Sequence, residues 1–230
     1  HTPRVDRTPE GVRPVLTTTQ TGDEAAREVG VEFGFDGALR RSATISQAPL
    51  GTMVEFTPDP TFPFPAEPGW YPVVFRLRYT DANGYPFSAL LARIERMGGE
   101  TQALASEIAI RPLILEISDE GGGVLRAGNN GSRAISLRGR LLLPTELRGK
   151  APKTGERFEI PAGGFADVAV EIGAGTALPG SRYVGYLLLE GRDSAGSRIS
   201  ALGTIEIAVV APTEAFTRGK TVFVLLLLLA

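Results

Sequence analysis

Few residues in this chain are able to do chemistry, and their types narrow the choices quickly. His1 is the only histidine, and there is no cysteine. Without a second imidazole there is no Ser-His-Asp relay, no zinc site built on two or more imidazoles, and no copper brace around an N-terminal histidine. Without cysteine there is neither thiol catalysis nor a disulfide framework, although the compartment stays open. Asp81 with Asn83, and Asp119 with Glu120, offer oxygen ligands of the kind calcium takes. Neither pair has the alternating carboxylates of a dedicated calcium loop; turn chemistry accounts for the first and solvation for the second. Gly121-Gly122-Gly123 lacks the Lys-Ser or Lys-Thr that would complete a phosphate loop, and Asn130-Gly131-Ser132 is a formal glycosylation acceptor whose Asn-Gly step is sufficient as a turn. Paired carboxylates for glycoside hydrolysis are defined by separation in space, which sequence spacing does not give. The expectation is no catalytic residue, no metal and no cofactor.

Aromatic residues are the other candidate chemistry. Phe62, Phe64, Trp70 and Tyr85 belong to an aromatic-rich stretch over 62–87, which overlaps a segment dense in proline, residues 58–68. Proline at that density removes ladder donors and fixes φ, so the segment reads as an extended loop. Broad apolar faces with polar tips suit sugar stacking or protein docking. These four residues are therefore the candidate interaction surface. The structural alternative is that Trp70 and Tyr71 plug the end of a sandwich while the prolines carry the crossover.

The elements that must position such residues are short strands. Alternation is clearest where Val73, Phe75, Leu77 and Tyr79 point one way and Arg76 and Arg78 the other. Strands are expected over 15–19, 28–35, 43–46, 52–57, 71–80 and 87–96. A second set falls over 108–117, 134–143, 157–160, 166–172, 183–190 and 199–210. Residues 22–28 hold the one helix-like stretch, of about turn length, and residues 1–12 read as a mobile leader. The 24 basic and 26 acidic residues give a net charge of −2, which leaves no electrostatic footprint for nucleic acid. Residues 222–230 form an apolar run too short to span a bilayer. With no polar stop and five consecutive leucines, it reads as the start of a membrane anchor in place of a terminal strand. Arg218 and Lys220 before it weigh weakly against an exterior placement of the folded part.

One pattern occurs twice. Asp81-Ala82-Asn83-Gly84 precedes Ser88-Ala89-Leu90, and Asp193-Ser194-Ala195-Gly196 precedes Ser200-Ala201-Leu202. Each copy follows a Pro-Gly pair, a tyrosine and a run of β-formers. A repeat of domain length implies two modules in tandem, since solenoid periods are shorter. In each copy Asp-x-x-Gly (Asp81 to Gly84, Asp193 to Gly196) closes a hairpin, Gly supplying positive φ and Asp bonding its own backbone.

Leu178-Pro179-Gly180-Ser181-Arg182-Tyr183 resembles the fibronectin type III pattern Leu-x-Pro-Gly-x-x-Tyr that leads into a strand. Glu67-Pro68-Gly69-Trp70-Tyr71 is similar, one residue shorter between Gly and Tyr. Bacterial sandwich families of the NEW3 and cell-adhesion-related types resemble it equally. The resemblance implies that Tyr71 and Tyr183 are tyrosine corners, each bonding back to backbone at the entry to strand F. It departs where antibody domains carry a cysteine pair and a core tryptophan, and it brings no function with it.

The expected fold is all-β: two tandem immunoglobulin-like (fibronectin type III-like) β-sandwiches followed by the start of a C-terminal transmembrane helix. The divisions are a flexible leader over 1–12, sandwiches over 13–103 and 104–212 touching end to end, and a juxtamembrane segment with a truncated transmembrane helix over 213–230. The expected function is a non-enzymatic envelope or cell-surface protein in adhesion, scaffolding or assembly. Its partners are the membrane, a protein or a second copy, or a polysaccharide. The alternative is a carbohydrate-binding module pair, or accessory domains of a larger extracytoplasmic enzyme.

Overall fold

Every regular element among the described residues is a strand. The computed structural model describes residues 1–98, 107–150, 157–192, 196 and 198–211. The expected membrane helix and the turn residue Asp193 lie outside them. No helix among the described residues is long and apolar enough to cross a membrane.

The N-terminal half holds β1 (Thr2–Thr8), β2 (Gly11–Thr19), β3 (Ala26–Phe35), β4 (Ala38–Arg41), β5 (Ile45–Ala48), β6 (Met53–Phe56), β7 (Gly69–Thr80) and β8 (Pro86–Met97). The flexible leader expected over 1–12 is corrected: β1 pairs with β2 from Thr8↔Gly11 to Thr2↔Thr17. Pro3 argues against a strand in sequence, but β1 is an edge, where a missing N–H is tolerated, and Val5 packs onto the core. Residues 22–24 form a bend and β3 begins at Ala26. Its ladder to β7 slips by one residue between Arg27 and Gly30, a bulge that holds Glu28 at φ +50°.

One sheet runs β1-β2-β6; the other runs β8-β7-β3, with β4 and β5 along the free side of β3. Alternate residues of the facing sides meet in a core that includes Val12, Leu16, Phe33, Phe56, Val73 and Phe75.

The C-terminal half holds β9 (Ile108–Ile110), β10 (Leu113–Ile117), β11 (Glu120–Asn129), β12 (Ile135–Leu142), β13 (Arg148–Lys150), β14 (Arg157–Ile160), β15 (Phe165–Gly173), β16 (Arg182–Arg192) and β17 (Arg198–Val209). The single strand expected over 108–117 is two. Pro112 interrupts it, and the chain changes sheets: β9 pairs with β11, whereas β10 runs parallel to β17. β11 itself was hidden by Gly121-Gly122-Gly123. A Cβ at Gly121 would stand 2.5 Å from Ile117, and one at Gly123 would stand 2.8 Å from Leu113. Glycine there lets the apolar side chains of β10 close over the strand. The sheets β13-β15-β11-β9 and β14-β12-β16-β17 enclose a second core around Leu125, Leu137, Val170, Leu187, Leu189 and Ile205.

The two cores do not meet end to end. A single parallel bridge, Arg198↔Gly69, joins β17 to β7 and makes one sheet of the two inner ones. The outer faces of β7–β8 and β16–β17 then pack together. Leu90 and Leu188 belong to neither core, yet are 4% and 0% exposed. Burying two leucines contributes about 4 kcal/mol to the junction as an upper figure.

Candidate functional site

The first hairpin turn is built by its aspartate. Asp81 Oδ1 accepts from the backbone N–H of Asn83 and of Tyr85, both at 2.9 Å, while Gly84 sits at φ +84°. That carboxylate oxygen is occupied by the turn. In the second hairpin, Gly196 at φ +83° holds the matching place between β16 and β17. Among the described residues no group of three or more His, Cys, Asp or Glu side chains is arranged to hold a metal.

The two repeat tyrosines differ. Tyr71 is 2% exposed and its hydroxyl donates to the carbonyl of Glu67, four residues upstream, at 2.8 Å. Its ring lies 5.8 Å from Phe35, with the Arg198 guanidinium over its face at 4.6 Å. Tyr183 is half-buried and its hydroxyl meets the side chain of Ser181. Burial raises the pKa of both phenols.

The aromatic surface expected from Phe62, Phe64, Trp70 and Tyr85 is not a surface. Phe62 is fully buried: it packs on Phe35 at 5.6 Å, and its backbone exchanges hydrogen bonds with Val12. Trp70 is half-buried against the second core. Phe64 and Tyr85 are exposed. Phe64 precedes the start of β7, whereas Tyr85 lies in the turn beyond its far end, roughly 35 Å of strand away. Local composition clusters these residues, but β7 separates them.

What the fold does bring together is the junction between the cores. On one side Glu146, 7% exposed, accepts from the backbone N–H and the hydroxyl of Ser88, both at 2.5 Å, with Thr145 Oγ1 at 3.2 Å. A buried carboxylate needs such donors, because stripped of them it carries an uncompensated desolvation cost. The Tyr186 hydroxyl bonds the backbone at Ala92. Ser88 and Ala92 lie on the edge of β8 that β7 leaves unpaired, so side chains of the second half cap an edge that would otherwise accept another strand.

On the other side Arg198 contacts Asp36 and reaches Glu190 at 3.0 Å; Arg192 meets Glu67 at 2.8 Å, and Ser200 Oγ donates to the Trp70 carbonyl at 2.9 Å. Gly69 allows this approach: a Cβ there would stand 2.5 Å from the Arg198 carbonyl oxygen. None of these pairings was legible in sequence, since Ser88 and Glu146 are 58 residues apart and no local pattern relates them.

Two clusters on the outer sheet faces remain. Glu32 is buried under three guanidiniums: Arg41 at 3.3 Å, Arg76 at 3.2 Å and Arg78 at 3.1 Å. On the outer face of β11 and β15, Arg126 makes a two-point contact with Asp167 at 2.8 and 3.0 Å, with its guanidinium 4.2 Å from the ring centre of exposed Phe165. Val124 is exposed on the same face of β11.

No family model and no curated protein matches the chain. Solved structures are similar to it in shape. The PapD-like domain 7 of human CEP192 is 8% identical, covering 51% of this chain and 94% of that domain at a TM-score of 0.36. A protein of unknown function from Porphyromonas gingivalis is 12% identical, covering 86% and 91% at 0.35. The Escherichia coli chaperone DraB is 11% identical, covering 47% and 57% at 0.34. At these identities and TM-scores the likeness carries no family, role or activity over to this chain.

Proposed function

We propose that this chain is a non-enzymatic, extracytoplasmic protein of the cell envelope: two Ig-like sandwiches held as one rigid body that acts through protein contacts in adhesion, scaffolding or assembly. In this reading the apolar residues 222–230 begin the membrane attachment, and the sandwiches span 13–103 and 104–212. The observation that carries the reading is how the polar chemistry is spent. The buried carboxylate Glu146 and the pairs Arg198–Asp36 and Arg192–Glu67 tie sheet to sheet, which supports a scaffold more than a reaction centre. The contact surface we assign is the outer face of β11 and β15, where Phe165, Val124 and Arg126 stand exposed. Aromatic and arginine side chains of this kind anchor protein interfaces.

The test is a photo-crosslinking residue at position 165 of the full chain, in cells that produce it. A discrete adduct of higher mass is expected, weakened when Arg126→Glu reverses the charge beside it. Illumination that yields the uncrosslinked chain alone removes the assigned surface.

A further inference from the structure

The Glu32 cluster carries more positive charge than it uses. Three guanidiniums on one carboxylate leave an excess of two charges on the outer face of β3, β4 and β7. The Nε of Arg76 is buried and has no hydrogen-bond partner, whereas such donors are nearly always satisfied. Beside this group a cleft of about 240 Å³ opens between the two halves, lined by Arg76 and Arg140 and walled by Leu39, Pro72, Val74 and Leu142. Asp36 and Glu32 also line it. Asp36 is taken by Arg198, and Glu32 by its three arginines. Arg140 is half exposed; its ion partner Glu190 stands 3.8 Å away and is shared with Arg198 at 3.0 Å. The cleft thus offers guanidinium donors over an apolar floor, and its own carboxylates are engaged.

We propose that this cleft receives the carboxylate side chain of an acidic protein partner. The inference rests on the reading of the chain as a protein-binding module and names the partner's chemistry. Guanidinium forks match a carboxylate in two-point geometry, and apolar walls match the aliphatic stem that carries it. A bare phosphate ion would lose hydration against Pro72, Val74 and Leu142 with nothing to place there. The volume suits one side chain and is below that of ordinary cofactor sites.

The experiment is an amide NMR titration of the full chain with a capped Glu-Leu-Glu peptide, with capped Gln-Leu-Gln and inorganic phosphate as the other arms. Saturable shifts at Gly34, Gly37 and Leu142 are expected with the acidic peptide and not with its neutral twin. Affinity should fall about tenfold in Arg140→Gln, whose side chain is exposed enough to leave the fold intact, and should fall with added salt. Equal responses to the two peptides, phosphate binding as tightly as the acid, still amides, or an unchanged affinity in Arg140→Gln would each overturn the proposal. A crosslinked partner at position 165 alongside a silent titration would sink this inference alone.

Discussion

Asp167 and Arg126 show how a residue pair reports its surroundings. Hydrogen bonding from the Arg126 guanidinium holds the Asp167 carboxyl below the ordinary aspartate range. A carboxylate whose pKa is depressed in the folded state adds stability above its unfolded pKa, and that stability is lost as pH falls through the folded pKa. Both side chains are exposed, so the pair's share of stability is small. A carboxyl-carbon NMR titration should therefore find Asp167 below an ordinary aspartate, and Arg126→Ala should restore it to the usual range. A midpoint that ignores the substitution would mean the two-point contact is not held in solution. The Arg126 guanidinium also lies over the Phe165 ring, so the titration tests whether the assigned contact face is ordered before a partner arrives.

At the scale of the element, Gly69 decides whether the halves can join. It begins β7, it bridges Arg198 at the start of β17, and its backbone at φ +153° suits glycine. Gly69→Ala places a methyl group 2.5 Å from a carbonyl oxygen, which is backbone and cannot swing aside. The expected cost is about 1–3 kcal/mol, the range for forced overpacking. Calorimetry should show one cooperative transition in the parent and two partly separated ones in the variant, because each half has its own core. A single transition at an unchanged temperature would show that the bridge is dispensable. Sequence legibility also divides at this scale. The β7–β8 and β16–β17 hairpins were readable, since alternation and an Asp-x-x-Gly turn are both local signals. β1 and β11 were not, because Pro3 and the glycine run argue locally against strands that tertiary pairing imposes. The break at Pro112 was visible as a residue, but that it marks a change of sheet was not.

For the whole molecule, the arrangement of the halves matters more than either sandwich. Tandem modules touching at their ends would move against each other; modules packed face to face through Leu90, Leu188 and a capped β8 edge cannot do so without exposing apolar surface. That rigidity is what the proposed scaffold needs, and it places the arginine cleft at the seam between the halves. The candidate surface read from sequence failed for the complementary reason. An aromatic in a proline-rich loop gives no periodicity from which to tell inside from outside, so Phe62 looked available while it fills the first core.

The second half seals the edge of β8, and the Ser88 amide reports that seal. That N–H lies on the edge not paired to β7 and reaches only the Glu146 carboxylate. Native-state hydrogen exchange on the full chain should find Ser88 protected to the level of interior strand amides, with protection lost in Glu146→Ala. Exchange at the rate of a free edge strand in the parent chain would mean that the β8 edge is open.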